Sequence, residues 1–148
     1  SLYKEMLKNK RVIGVKNSSM PVQDIQTFAS LGGEDHIVFN GPDEQFLGGR
    51  LMGAGAGIGG TYGAMPELFL KLNHLETARA LQFAINGIIG VLTSAHGNMY
   101  GVIKEVLRIN EGLELGSVRS PLTPVTEADQ EVVQKAASLI REVKERFL

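Results

Sequence analysis

The chain has 148 residues, of which 43% are hydrophobic and 21% charged, and its formal net charge is −1. This composition is typical of one globular domain, and the near-neutral charge gives no electrostatic reason to expect nucleic acid or an anionic membrane as partner. Because the sequence contains neither a run of 18 apolar residues nor any cysteine, we expect a cytoplasmic protein without disulfides or thiolate metal sites.

Strands and helices alternate in the first half of the predicted secondary structure. A short helix, Ser1 to Asn9, comes first. Three strand–helix pairs follow: Arg11 to Lys16 with Pro21 to Leu31, His36 to Gly41 with Asp43 to Met52, and Ala56 to Gly60 with a helix starting near Met65. This alternation predicts parallel strands and right-handed crossovers, hence an α/β fold of the doubly wound or barrel type.

The second half is predicted to be helical, so residues 1–75 and 76–148 differ in character. Helices are predicted for Glu76 to Ser94, Asn98 to Ile109 and Thr126 to Phe147. The last helix opens with Thr126 and Asp129 at the spacing of a capping box. Gly112 to Pro124 is predicted to be an extended surface connection. We expect residues 76–148 to form a helical segment of the same domain.

Three parallel strands make a poor complete sheet, because both edges leave backbone groups unpaired and too little apolar surface is covered. We therefore expect further strands from another chain or from a missing amino-terminal portion.

Lys16 ends the apolar run Val12 to Val15 and precedes the turn formers Asn17 to Ser19. A period of two places Lys16 on the same face as Gly14. A desolvated lysine loses its proton more readily, and its neutral amine can attack a carbonyl to form a Schiff base. The alternative is a strand that simply ends as it reaches solvent.

Asp43 and Glu44 lie where the second strand passes into its helix. Adjacent carboxylates can accept hydrogen bonds from a polyhydroxylated ligand, and they also suit the amino end of a helix, so ligand binding and capping both remain open.

The glycine-rich stretch Gly55 to Gly63 would either let a ligand approach the backbone closely or allow a strand to pack tightly against a helix. It does not match a phosphate-binding loop, because it lacks the Gly-Lys-Ser/Thr ending of that motif. The histidines His36, His74 and His96 lack metal-ligand spacing, so we expect ordinary structural or surface roles for them.

Three motifs together resemble a known family. They are Gly14-Val15-Lys16-Asn17-Ser18, Asn40-Gly41-Pro42-Asp43-Glu44 and Gly57-Ile58-Gly59-Gly60-Thr61-Tyr62. In this order they resemble the carboxy-terminal half of the N-acetylneuraminate lyases, which belong to the class I aldolases related to dihydrodipicolinate synthase. The resemblance covers essentially the whole chain, and the Asp-Glu pair favours the lyase branch.

The resemblance implies a partial (β/α)8 TIM barrel, with strands six to eight and a carboxy-terminal helical segment in this chain. It implies that Lys16 is the catalytic Schiff-base residue. The substrate-binding positions that it implies are Ser18, Gly41, Asp43, Glu44 and Gly60, the last being serine in some members. The reaction would cleave N-acetylneuraminate, a sugar acid, to pyruvate and N-acetylmannosamine, with no metal or organic cofactor and in a homo-oligomer, a tetramer for the intact enzyme.

The chain also departs from the family pattern. The family's carboxylate-binding turn belongs to the second strand and its catalytic tyrosine to the fifth, and this chain has neither, so Tyr62 does not take the tyrosine's role. The connection near Leu75-Glu76 is shorter than the family's. Two alternatives stay open: another pyruvate-dependent aldolase or synthase, or an inactive half-barrel that needs its amino-terminal half.

Overall fold

A computed structural model describes residues 1–72 and 75–148 and divides into two compact units, Ser1–Gly59 and Gly60–Leu148. The predicted division of the domain near residue 75 stays a prediction. Two sequence-based expectations lie outside the described residues: the ordinary role of His74 and the shortened connection that leads to Leu75 and Glu76.

The first unit is a three-stranded parallel sheet with its connecting helices. Its elements are α1 (Leu2–Leu7), β1 (Gly14–Asn17), α2 (Val22–Gly32), β2 (Ile37–Asn40), a 3-10 turn (Asp43–Gln45), α3 (Phe46–Leu51) and β3 (Ala56–Gly57). The strand order is β1-β2-β3, and both pairings are parallel. The predicted alternation and the parallel pairing are therefore confirmed.

The strand boundaries differ most from the predicted ones at the first and third strands. The backbone N–H of Val12 donates to the carbonyl of Asn9 at 2.9 Å, so this segment still turns after α1 and β1 begins only at Gly14. The predicted strand Ala56 to Gly60 is also shorter, because its pairing with β2 ends at Gly57.

The two faces of the sheet have different surroundings. Buried Val38 belongs to an apolar cluster with Ile25 of α2, and Val15 packs against that cluster. Since successive residues of a strand point to opposite faces, Lys16 and its register partner Phe39 lie on the other face. Helix α2 therefore covers the face away from Lys16.

The second unit is helical. Its elements are a 3-10 turn (Thr61–Gly63), α4 (Pro66–Lys71), α5 (Leu75–Leu92), α6 (Met99–Glu111), a second 3-10 turn (Glu127–Asp129) and α7 (Gln130–Phe147). Helix α7 packs against α4, α5 and α6. The apolar stripe predicted for α5 is buried, at Ala78, Leu81, Ile85, Ile88, Ile89 and Leu92. The amphipathic pattern therefore correctly identifies the core of this unit.

The ends of the long helices follow the predicted signals. Asn98 caps α6 by accepting a hydrogen bond from the backbone N–H of Tyr100 at 3.0 Å. The side chains of Thr126 and Asp129 form the predicted capping box. Residues 112–124, between these helices, contain neither helix nor strand. In the described parts of the chain, no helix combines the length and apolar content needed to cross a membrane.

Candidate functional site

Lys16 is the third residue of β1 and lies beside Phe39 of β2. Its side chain is exposed. The desolvation on which the sequence argument relied is therefore not provided by the described residues of this chain. The physical reason is that α2 covers the opposite face of the sheet, while the residue next to Lys16 on its own face of the strand is Gly14, which has no side chain.

The segment after Lys16 is held by a polar network. Asn17 is buried at 6% exposure, and its Oδ1 accepts from the backbone N–H of Ser19 at 3.3 Å. The hydroxyl Oγ of Ser19 lies 2.9 Å from the same oxygen and donates to Oδ2 of Asp24 at 2.6 Å. These contacts fix the backbone of residues 17–19 and tie it to the first turn of α2.

The turn that follows β2 contacts the segment after Lys16 at Gly41. The backbone N–H of this glycine donates to the carbonyl of Asn17 at 2.8 Å. A Cβ added at Gly41 would lie 2.5 Å from Oγ of Ser18 and 2.6 Å from the Asn17 carbonyl oxygen. The structure thus brings two of the predicted ligand residues, Ser18 and Gly41, into direct contact, and only glycine fits at position 41.

Asp43 and Glu44 occupy a 3-10 turn instead of the start of the predicted helix Asp43 to Met52. Asp43 is buried, at 6% exposure, and Glu44 is exposed. The α-helix begins at Phe46 with Gln45 as its N-cap residue, so neither carboxylate occupies the N-cap position of α3. Both lie in the first turn of the 3-10 segment, where a negative charge is favourable.

Two residues that shape this turn were not among the predicted site residues. Asn40, fully buried, donates from Nδ2 to the carbonyl of Pro42 at 2.7 Å. Gln45 donates from Nε2 to the carbonyl of Ser19 at 3.1 Å. A buried polar residue at a strand end is a signal that points to Asn40. Nothing in the sequence pattern singles out Gln45, because its partner lies 26 positions away.

Gly60 belongs to the second unit and is described within it. A Cβ at this position would lie 3.0 Å from Oη of Tyr100 and 3.1 Å from Cε of Met99. A larger residue would therefore require the ends of these two side chains to move. In the 3-10 turn that follows, the ring of Tyr62 packs against Phe69, with ring centroids 4.1 Å apart.

His36, His96 and Asp129, which lie outside the strand ends discussed above, have structural contacts. Nδ1 of His36 lies 2.8 Å from the carbonyl oxygen of Gly32. The backbone N–H of His96 donates to Oδ1 of Asp129 at 2.7 Å. Hydrogen bonds from the N–H of Thr126, and also from those of His96 and Gly97, lower the pKa of Asp129. Within residues 1–72 and 75–148, no group of three or more His, Cys, Asp or Glu side chains could hold a metal ion.

Comparison with known proteins gives consistent matches. Residues 2–140 match the model of the dihydrodipicolinate synthetase family. An N-acetylneuraminate lyase of Mediterraneibacter gnavus is 57% identical over the whole of this chain and 49% of its own length. That alignment spans 154 positions against 148 residues here, so this relative has residues without a counterpart in the chain. A lyase of Rhizobium meliloti is 36% identical over 90% of the chain and 46% of its own length.

A solved structure, wild-type Ruminococcus gnavus sialic acid aldolase, superposes with a TM-score of 0.96 at 57% identity, over 99% of this chain and 51% of that one. A catalytic lysine mutant of the same aldolase superposes with the same TM-score. The chain therefore spans about half the length of the relatives it matches.

Proposed function

The chain belongs to the dihydrodipicolinate synthetase family, whose fold is the (β/α)8 barrel, and from this premise we propose that it is the carboxy-terminal half of an N-acetylneuraminate lyase. Its three strands would be strands six, seven and eight of the barrel. The intact enzyme would cleave N-acetylneuraminate to pyruvate and N-acetylmannosamine and would be a homo-oligomer, as the family resemblance suggests.

One observation supports this proposal above the others. The strand end that carries Lys16 continues directly into a segment that contacts the Asp43–Glu44 turn at both of its ends, through Gly41 and Gln45. A nucleophile and a pair of carboxylates are thus held at the carboxyl ends of neighbouring parallel strands, which is where barrel enzymes have their active sites.

The proposed nucleophile is Lys16. Of the lysines in the described residues, it is the one that lies in a strand. One of the solved structures of the 57% identical sialic acid aldolase is a mutant of its catalytic lysine. We therefore expect a catalytic lysine in this chain as well.

The proposed reaction starts when the neutral amine of Lys16 adds to the keto carbon and water leaves, which gives a protonated imine. The carbon–carbon bond of the sugar acid then breaks. The hydroxyl group on the departing carbon gives up its proton to the catalytic tyrosine that the amino-terminal half would supply, and the electron pair of the broken bond moves into the imine to give an enamine. N-acetylmannosamine departs as the aldehyde, and protonation and hydrolysis of the remaining enamine release pyruvate and free Lys16.

The Asp43–Glu44 turn has the proposed role of substrate recognition. Its carboxylates would accept hydrogen bonds from the hydroxylated chain and orient the bond that breaks. Ser18 and Gly41 would contribute to the same recognition site. Gly60, in the second unit, is proposed as a further substrate-binding position, and as a glycine it offers no hydroxyl, in contrast to family members that have serine there.

The exposure of Lys16 defines what the rest of the barrel must supply. In a closed barrel, the remaining strands would cover the face of the sheet that carries Lys16 and remove water from it. They would also supply the catalytic tyrosine and the carboxylate-binding turn that the family resemblance assigns to strands five and two. We therefore propose that the amino-terminal half is a required partner.

An alternative of a different class is an inactive half-barrel module that associates with itself. The observation that favours it is the sheet itself, in which β1 and β3 both lie at an edge. A second enzyme alternative is another pyruvate-dependent aldolase of the family, which acts on a different sugar acid.

The test uses a completed barrel, defined here as this chain joined behind the amino-terminal half of the Mediterraneibacter gnavus lyase. We expect it to release pyruvate from N-acetylneuraminate faster than from other 2-keto sugar acids. A preference for a different sugar acid would support the second enzyme alternative. Absence of pyruvate release from every sugar acid, in a barrel that is folded, would refute the proposed function.

A further inference from the structure

Gln45 connects the two segments from which the proposed site is built. It is the last residue of the 3-10 turn Asp43–Gln45 and immediately precedes helix α3, and its backbone at φ −116° and ψ 18° departs from α-helical geometry. From this position its side chain reaches across to the segment after β1, where Nε2 donates to the carbonyl of Ser19 at 3.1 Å. The contact is partly buried and joins residues 26 positions apart.

The turn is therefore held at both ends. At its start, the backbone N–H of Gly41 donates to the carbonyl of Asn17, and this bond is made by backbone atoms alone. At its end, the bond to Ser19 requires an amide donor of the length of glutamine. Asp43 and Glu44 lie between these two bonds, so loss of the Gln45 bond would remove one of the two contacts that join their turn to the segment after β1.

The acceptor side of this contact is itself rigid. The N–H of Ser19 donates to Asn17, the residue that follows Lys16, and the Ser19 hydroxyl donates to Asp24 of α2. Loss of the Gln45 bond would leave this network intact, so we expect its effect to fall on the carboxylate turn and not on the Lys16 segment.

We propose that Gln45 is a positioning residue that sets the distance between the Schiff-base lysine and the carboxylates that recognise the hydroxyl chain. This inference rests on the proposed function and goes beyond it, since it assigns substrate orientation to a residue outside the predicted binding set, through its bond to Ser19. Loss of the bond should impair reactions that use the hydroxyl chain and spare the capture of pyruvate, which has no such chain.

The experiment uses the completed barrel with Gln45→Met, which keeps the length of the side chain and removes the donor, and Gln45→Glu, which places a carboxylate near the Ser19 carbonyl. The matched control is Gln26→Met, on an exposed position of α2. For each protein, kcat and KM for N-acetylneuraminate are measured beside the rate of borohydride trapping of pyruvate and the melting temperature.

We expect Gln45→Met to lower kcat/KM for N-acetylneuraminate by roughly 3- to 10-fold, the loss of one neutral hydrogen bond. Gln45→Glu should lower it at least as much, because its carboxylate cannot donate. Pyruvate trapping should stay within about twofold in both variants, and Gln26→Met should change neither quantity.

Equal losses in trapping and cleavage would show that Gln45 acts on the fold or on Lys16 itself, and they would overturn the inference. So would unchanged cleavage in both variants. If the completed barrel with Gln45 intact neither traps pyruvate nor cleaves the sugar acid, the proposed function fails and the inference falls with it. If the completed barrel is active and both Gln45 variants behave as it does, the inference about Gln45 is refuted and the proposed function stands.

Discussion

The backbone N–H of Gly41 donates a 2.8 Å hydrogen bond to the carbonyl of Asn17, the residue after Lys16. This contact joins the end of β1 to the turn after β2, and it requires the two backbones to approach closely. Position 41 requires glycine, because any Cβ there would overlap with Ser18 and with the Asn17 carbonyl.

Replacement of this glycine should therefore be destabilising. In the completed barrel, we expect Gly41→Ala to lower the free energy of unfolding by about 1–3 kcal/mol, the usual cost of overpacking, and to reduce lyase activity. Gly48→Ala is the matched control, since its Cβ would meet Val22 at an ordinary 3.4 Å within α3. Denaturant unfolding measures both, and equal stability of the two variants would contradict the close approach.

The Asp43–Glu44 turn should recognise the sugar more than the keto acid. We expect Glu44→Ala in the completed barrel to lower kcat/KM for N-acetylneuraminate by about one to two decades, since a hydrogen bond to a charged group contributes about 1.5–3 kcal/mol. Pyruvate trapping should change less, because pyruvate lacks the hydroxylated chain. The control is Glu34→Ala, another exposed glutamate of the first unit. Equal losses for both ligands would indicate a structural role for Glu44.

Asp129 should make the stability of the helical unit pH-dependent. Its pKa in the folded protein lies below the usual value of 3.8, chiefly because the N–H of Thr126 donates to it. A group with a lowered folded pKa stabilises the protein above its unfolded pKa, and this stabilisation is lost as the pH falls through the folded value. Asp129→Asn should therefore lower the melting temperature at pH 7.

The same variant should approach the unmodified protein in stability as the pH falls below about 3.8. Glu145→Gln, at an exposed position of α7, provides the control and should show no such convergence. Melting temperatures of the completed barrel between neutral and acidic pH measure the effect. A constant difference between Asp129→Asn and the unmodified protein across this range would contradict the assigned role.

The sequence patterns predicted the secondary structure well because they are local. Alternating strands and helices, the stripe of α5 and the capping box at Thr126 each depend on residues within a few positions of one another, and the structure confirms all three. The predicted helix Asp43 to Met52 begins as a 3-10 turn instead. Gly48 and Gly49 lower the helix propensity of this segment, and Gln45 bonds to Ser19 at the point where the turn gives way to α3.

The candidate site residues could be named from the sequence, but the contacts between them could not be predicted from it. The contact of Gly41 with Ser18 and the bond of Gln45 to Ser19 connect residues more than 20 positions apart, so no periodicity reports them. The exposure of Lys16 could not be predicted from the sequence either, because it depends on what covers the second face of the sheet. The functional roles of all the predicted site residues stay predictions: Lys16, Ser18, Gly41, Asp43, Glu44 and Gly60.

The chain on its own should not be a compact, active monomer. Strands β1 and β3 are both edge strands of the described sheet, and open parallel edges favour association. Without the family's general acid–base tyrosine, lyase turnover should be lower than in the completed barrel by roughly 100-fold or more. Light scattering and a pyruvate-release assay on the purified chain measure both properties. A monomer with full turnover would contradict the need for an amino-terminal half.

The measurement that tests the central proposal most directly is the mass of the completed barrel after incubation with pyruvate and borohydride. If Lys16 forms the Schiff base, one reduced pyruvate adduct appears on the peptide that contains Lys16, Lys16→Ala abolishes it, and Lys10→Ala, at an exposed lysine of the same unit, leaves it unchanged. An undiminished adduct in Lys16→Ala would contradict the assignment of Lys16 as the nucleophile.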